Sequence, residues 1–430
     1  MKDEIAFFWF RRDLRLNDNV GLYHALESGF KVVPLFIFDE EILEKLPEND
    51  ARVTFIYKTL EELNRELNKQ SVSLLIKKGK PSEVWKSLLE EFSIARVFFN
   101  HDYEPYAISR DKQINSLLKE RGVKVKSFKD QVIFEKSEVL KADGNPYTVY
   151  TPYKKKWLEN FNLEKATKAF EIENHFDSFK KTNFNFPMLE QLGFKESSII
   201  VKPYNLTVLS NYENTRNFPA KNGTSNLSPY LRFGLLSIRR LVKIAYEANP
   251  VFLGELIWRE FFMQILFHFP EVVTNSFRKK YDNIKWRNNK QEFEAWCQGK
   301  TGYPMVDAGM RELNETGYMH NRVRMVVASF LCKHLLIDWR WGEAYFAEKL
   351  LDYELASNNG NWQWAAGTGC DAAPYFRIFN PTTQITNFDK NLEYINKWIP
   401  ELNEVTYPNK IVDHKQARER ALEAYKIAVN

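Results

Sequence analysis

Three stretches carry side chains whose types and spacing could do chemistry. DYELASNNGNWQWAAGTGCDAAPYFR, residues 352–377, sets Asn358, Asn359, Gly360 and Asn361 beside Trp362 and Trp364. At helical pitch Asn358 and Trp362 share a face within about 40°, while the two tryptophans lie about 200° apart. Such a helix could meet a flat polar ligand on one side and a separate aromatic surface on the other; alternatively, both tryptophans are core and the helix start frays. NGTSNLSPYLRFG, residues 222–234, brings Thr224, Ser225 and Ser228 just ahead of a helical pattern. Hydroxyls and N–H groups there suit an anion such as pyrophosphate, or serve as an ordinary cap. GYMHNRVRM, residues 317–325, places His320, Asn321, Arg322 and Arg324 together, with Asp352 and Glu354 available further on. The reading is buried paired charge or a solvated cluster; His320 reads as a structural histidine. No Ser/His/Asp constellation and no metal-ligand spacing stands out, which disfavours hydrolysis and metal catalysis, and no metal is expected.

These residues need a scaffold. Residues 1–128 alternate apolar runs with amphipathic stretches: strands are expected at 5–10, 31–38, 71–77, 95–100 and 123–128, and helices over 51–68 and 81–92. The pattern predicts βαβ units, a Rossmann-like parallel five-stranded sheet with helices on both faces. No GxGxxG follows a strand, so an ordinary dinucleotide site is not expected there. Residues 129–195 read as an irregular connector laid over the surface, and 196–430 as a mostly α-helical domain.

Composition sets the outer bounds. The chain has 430 residues, 44% hydrophobic and 27% charged, with aromatics at 15% including eleven tryptophans and a formal charge of +5. That is an ordinary globular balance which permits a polyanion partner without demanding one. Three cysteines without a CxxC argue for a reducing cytoplasm, and neither a signal peptide nor a membrane-length apolar run is present.

Taken together and in order, FFWFRRDLRLNDN, NGTSNLSPYLRFG, ELIWREFF, TGYPMVDAGMRELNETGYMHNRVRM and ASNNGNWQWAAGTGCDAAPYFRIFNPTTQ resemble the photolyase/cryptochrome family, specifically class I cyclobutane pyrimidine dimer photolyases. The resemblance runs nearly the whole chain. It implies light-driven repair of pyrimidine dimers in DNA by an FAD held in the helical domain. It places Tyr212, Thr224, Ser225, Leu227 and Ser228 on the phosphate side of FAD, and Asn321, Arg324, Asp352, Glu354 and Asn358 around the ring, with Phe252 also in contact. Asn358 would face flavin N5, where an amide donates without offering an acidic proton. Trp362, Trp339 and Trp286 would form an electron-transfer chain. Glu255, Trp258, Asn321, Met325 and Trp364 match the lesion pocket, with Glu255 a carboxyl held protonated beside apolar rings. Arg216, Arg259, Arg322, Arg377 and Gln384 match contacts to the DNA strand.

Two departures stand out. Glu354 replaces a common Asp, and Asn226 replaces the usual Arg or Lys of the TSxLS motif, removing a charge near the diphosphate. The resemblance also implies a second, antenna chromophore on the N-terminal sheet, a folate, deazaflavin or flavin, with residues 100–111 at its lip. UV-damaged DNA is the expected partner, and the protein is expected to act as a cytoplasmic monomer with no obligate protein partner. A cryptochrome-like photoreceptor is the rival; Asn358 and the intact pocket speak against it. A (6-4) photolyase is disfavoured because such enzymes carry His where this chain has Asn321 and Met325.

Overall fold

The computed structural model describes residues 4–430. Strands β1 (Ile5–Phe10), β2 (Lys31–Asp39), β3 (Leu75–Gly79), β4 (Ile94–Asn100) and β5 (Lys124–Phe128) form one parallel sheet in the order β3-β2-β1-β4-β5. Helices α1 (Val20–Leu26), α2 (Ala51–Asn68), α3 (Pro81–Glu91) and α4 (Pro105–Glu120) alternate with them. β1 is buried along its whole length, as a central strand covered on both faces must be. Phe8, Phe10, Val32 and Phe36 pack with Val53, Leu60, Leu63 and Leu67 of α2. The alternate residues Phe7, Trp9, Val33 and Leu35 pack with Trp85 and Leu88 of α3 and with Ile114 and Leu118 of α4. The period-2 pattern thus feeds two layers. α2 starts where the Asp50 carboxylate accepts from the N–H groups of Arg52 and Val53.

β3 departs from its expected span of 71–77. Ser71 turns through the left-handed region with φ at +56°. The Ser73 N–H then donates to Thr182 Oγ1 at 3.0 Å and the Leu74 N–H to Asn64 Oδ1 at 2.8 Å. Side chains take the hydrogen bonds that a strand ladder would otherwise supply, so pairing with β2 begins only at Leu75.

By compactness the chain forms two units that interleave in sequence. The first runs to Glu135 and takes in Asn160–Lys202 and Leu227–Glu247; the second comprises Lys136–Glu159, Pro203–Asn226 and Ala248–Asn430. This grouping differs from breaks at residues 128 and 195, for a packing reason. Phe179, Leu189, Leu192 and Phe194 are buried in the core beside the sheet. Residues 150–160, read as connector, are instead a helix, α5 (Tyr150–Asn160), which up to Glu159 belongs to the second unit. Tyr150, Tyr153 and Trp157 are buried rather than laid over the surface.

Within the second unit, α5 lies against α6 (Pro250–His268): Tyr153 Oη and Trp157 Nε1 donate to the buried Glu260 carboxylate at 3.1 and 2.6 Å. The helices α7 (Pro304–Thr316), α8 (Asn321–Ser329), α9 (Trp339–Lys349) and α10 (Leu355–Ala366) share one core that includes Met305, Val323, Trp339 and Trp362. A closing helix, α11 (His414–Val429), follows. Among the described residues no helix is long and apolar enough to cross a membrane, and no cluster of His, Cys, Asp and Glu could hold a metal ion.

Candidate functional site

Gly360 is the residue that lets α10 approach α6. A Cβ there would run into the Phe262 ring, just as one on Gly342 of α9 would run into Trp362. The glycine in the NNGN stretch is therefore a packing requirement, and the asparagines around it have separate tasks. Asn359 Nδ2 donates to the Val272 carbonyl at 3.0 Å, closing a buried network with Gln363. Asn361 is exposed and bonds back to Ser357. Asn358, 9% exposed, directs Nδ2 at Glu343 on α9, reaching its Oε1 at 2.9 Å and its backbone carbonyl at 3.1 Å. Both amide N–H groups are thereby engaged, so Asn358 offers a ligand the acceptor Oδ1 and not the amide donor expected from the sequence. Glu343 was not legible as a site residue; the one available signal is its place one helical turn after Trp339. Burial pushes its carboxyl pKa up, against the opposing hydrogen bond from Asn358.

Most of the remaining site residues are paired with one another or with close neighbours. Arg324 donates to Asp352 at 3.0 Å and to the Met319 carbonyl at 2.8 Å. Arg259 of α6 reaches Glu354 at 3.3 Å, and Ser357 Oγ donates to the same carboxylate at 2.9 Å. The Tyr212 ring meets Phe252 edge-on at 5.1 Å, and burial raises the phenol pKa to about 12. Arg216 lies 5.4 Å from the Tyr212 ring and bonds Glu255 at 2.6 Å. Glu255 thus has an arginine partner and a side chain one-third exposed, where the sequence suggested a setting of apolar rings. Trp258, one turn along α6, is half-buried. Its ring stacks on Tyr150 of α5 with centroids 3.6 Å apart, and Tyr150 Oη is anchored on the Gly254 carbonyl at 2.7 Å. Tyr150 is the more buried of the pair, so it backs Trp258 from inside. Sequence reading missed it because it was placed in the connector.

At the start of α8, Arg322 hydrogen-bonds the Asn217 amide at 2.7 Å and lies over Phe388 at 4.2 Å. Its pKa is lowered by burial first, then by the guanidinium groups of Arg216 and Arg377. Neither Arg322 nor Arg377 has a carboxylate partner among the described residues. His320 caps α8 through Nδ1, and its Nε2 is buried without a partner. Burial, followed by Arg324, Arg322 and Arg216, holds its pKa down to about 4, so it is neutral. Asn321 is exposed, Met325 and Trp364 are half-buried, and Gln384 is buried with Oε1 unpartnered.

Other expected positions stand apart from these bonds. Thr224 is exposed and Ser225 accepts from the Asn205 N–H through its backbone. Asn226 adopts a left-handed φ of +53°, which asparagine tolerates and arginine or lysine favours less. Leu227, buried, and Ser228, exposed, belong to the first unit. Of the three tryptophans expected to form an electron-transfer chain, Trp362 and Trp339 are fully buried and Trp286 is half-buried, its ring edge-on to Tyr425 at 6.0 Å.

The donor set suits a flavin. Asp352 and Glu354 are each matched by an arginine, so the floor around Asn358 carries paired charge beside a neutral amide, as a flat polar ring buried from water requires.

Two family models match the chain: DNA photolyase over residues 6–171, and FAD binding domain of DNA photolyase over residues 252–406. A deoxyribodipyrimidine photo-lyase of Synechococcus sp. is 38% identical over 427 residues, covering 93% of this chain and 88% of its own. The crystal structure of a bacterial class III photolyase from Agrobacterium tumefaciens superposes with a TM-score of 0.86 at 34% identity, covering 100% of this chain and 98% of that one. An archaeal photolyase from Sulfolobus tokodaii, crystallised with two FAD molecules, gives 0.85 at 35%, covering 98% and 99%.

Proposed function

The chain belongs to the DNA photolyase family, and from that premise we propose that it repairs cyclobutane pyrimidine dimers in DNA with light, as a class I enzyme. FAD, when bound and reduced, supplies the photoexcited electron that opens the dimer and recovers it afterwards. Everything else falls to the chain. Tyr212, Phe252, Arg324, Asp352, Glu354 and Asn358 would hold the cofactor, with Thr224 and Ser225 on its phosphate side and Asn321 beside its ring. Trp286, Trp339 and Trp362 would relay single electrons toward it from a soluble reductant such as a thiol, which is oxidised in turn.

The observation that carries the DNA reading is the arginine cluster. Arg322 is held near Arg216 and Arg377, close enough for like charge to depress it, and two of the three lack a carboxylate. Such a cluster is costly unless an anion completes it, and a phosphodiester strand does so. Trp258, backed by Tyr150, offers a flat apolar surface on which an extruded dimer can stack, with Met325 and Trp364 beside it. Extrusion is cheaper for a damaged base, by a few kcal/mol at most. Glu255, released from Arg216 when that arginine turns to phosphate, is then free to meet the dimer. Arg259 and Gln384 complete the strand contacts. Asn321 and Met325 favour the cyclobutane dimer over the (6-4) product. A second chromophore, a folate, deazaflavin or flavin, is assigned to the sheet unit, and the three free cysteines suit a reducing cytoplasm.

The test is illumination of reduced holoenzyme with an oligonucleotide carrying one thymine dimer. Splitting in light and none in darkness is expected. Tight dark binding without splitting would overturn the enzyme reading in favour of a photoreceptor.

A further inference from the structure

Lys333 is a buried charge that the repair reaction does not use. It lies just beyond α8, in the wider π-turn Phe330–His334, and is 1% exposed. Its ammonium donates to the backbone carbonyls of Tyr375 at 3.0 Å and Arg377 at 3.3 Å. It also sits 5.6 Å from the centre of the Tyr425 ring on α11. Its partners are carbonyls and a ring face, with no carboxylate among them, so the cost of burying an ammonium is met by dipoles alone.

What those carbonyls belong to gives the arrangement its meaning. In Pro374–Arg377 three of the four side chains are exposed, Pro374, Arg377 and Phe376 (61%), while Tyr375 is half-buried and stacks on Tyr425 with centroids 5.8 Å apart. The segment closes a turn in which the Arg377 N–H bonds the Pro374 carbonyl at 2.8 Å. The backbone of an exposed segment is therefore pinned from beneath by a buried cation.

We propose that Lys333 is a positioning residue for DNA binding: its ammonium grips the Tyr375 and Arg377 carbonyls and so holds the Arg377 guanidinium where, with Arg322, it meets a phosphate. This rests on the reading of Arg377 as a phosphate contact. The grip is charge-assisted, and a neutral amine would hold less firmly. Burial brings the Lys333 pKa down to about 8. The groups around it do not titrate with it. The Cys332 thiol on its own segment and the Tyr425 phenol on α11 are both raised by burial. His334 is already neutral, its pKa lowered by burial to about 3, and His414, which bonds it from α11, is lowered too. The other ionisable residues beside this segment are Asp338, Tyr375, Arg377 and Arg420.

The experiment uses full-length holoenzyme. Lys333→Met should raise amide hydrogen exchange at Arg377 about tenfold, the equivalent of one charge-assisted bond. It should lower the log–log salt slope of DNA affinity by about one, as Arg377→Ala does. The double variant should show no further fall in slope. Unaltered exchange overturns the proposal. So does faster exchange with a parental slope when Arg377→Ala lowers the slope. If Arg377→Ala itself leaves the slope unchanged, the phosphate reading of Arg377 fails and takes the proposal with it, whereas the exchange result still reports the grip. A further arm needs no variant to fold. In the parent, DNA affinity should fall as pH rises through about 8 at constant ionic strength. Stability against urea should rise over the same window, because the unfolded chain keeps its proton while the folded chain loses it. Affinity that stays level between pH 7 and 9 counts against the proposal.

Discussion

The side-chain nitrogen of Asn358 is held by a single residue, Glu343, which accepts from it at both its carboxyl oxygen and its backbone carbonyl. The amide orientation is therefore set from α9, and with it the atom presented to the cofactor. Asn358→Asp would place two carboxyl groups against one another in a buried site, where both cannot ionise. Their shared pKa is then raised above the unfolded value. The sign follows: the variant keeps its stability below the ordinary carboxyl range, about pH 4, and loses it as pH rises through the raised value. Every tenfold weakening of the acid on folding costs about 1.4 kcal/mol at high pH. Urea unfolding at pH 5 and pH 8 reads this directly; a deficit relative to the parent that is equal at both pH values would argue against the coupling.

Trp362 sits against Gly342, with Phe346 edge-on at 5.0 Å. Trp362→Phe keeps an aromatic ring in this slot and removes the indole. Photoreduction of oxidised FAD should slow severely, while chemically pre-reduced enzyme repairs nearly as well as the parent. The measurement is loss of flavin absorbance under steady blue light. Photoreduction at the parental rate would remove Trp362 from the wire.

Arg322 has an amide and a ring as its protein partners, so its charge is available to a phosphate. Arg322→Ala should weaken damaged and undamaged DNA alike and reduce the salt slope by about one. An unchanged slope would mean that Arg322 serves the protein and not the strand.

Glu255 and Trp258 should separate binding from chemistry. Glu255→Ala should lower repair per photon more than dimer affinity, because a hydrogen bond that its carboxyl donates to the dimer strengthens as negative charge develops there. Since it also frees Arg216 from its 2.6 Å partner, undamaged DNA should bind slightly tighter. Trp258→Ala should chiefly weaken dark binding, by about 1–3 kcal/mol for each stacked base. If the two variants lose binding and repair in the same proportion, the division of labour is wrong.

His334 Nε2 and His414 Nδ1 share a hydrogen bond of 2.8 Å that requires at least one neutral ring. Burial lowers both pKa values, His334 to about 3. Stability from this pair is complete above the unfolded histidine pKa, about 6.5, and is lost as pH falls toward about 3. His334→Phe should flatten the acid limb of a urea-stability profile between pH 6.5 and 4; an acid limb as steep as the parent's would show that carboxylates alone cause it.

The sequence by itself determined the layered sheet and the ends of the two helices α2 and α3. Those depend on short-range signals: continuous apolar runs in β1 and β2, Asp50 capping α2, and Pro81 opening α3. It also marked Asn358, Trp362, Glu255 and the arginines, because long ordered motifs carry them. It failed where turn-forming residues hid a period. Tyr150, Tyr153 and Trp157 have helical spacing, but the proline, glycine and threonines around them read as connector. Tertiary structure alone decided the partners. Asn358 with Glu343, Arg216 with Glu255, Tyr150 behind Trp258 and Lys333 beneath the Tyr375 and Arg377 carbonyls join side chains and backbone from 15 to 108 residues apart. A residue's type states what it can bond, but which of many chemically equivalent partners it meets depends on how the helices pack, and packing is settled by the whole core at once.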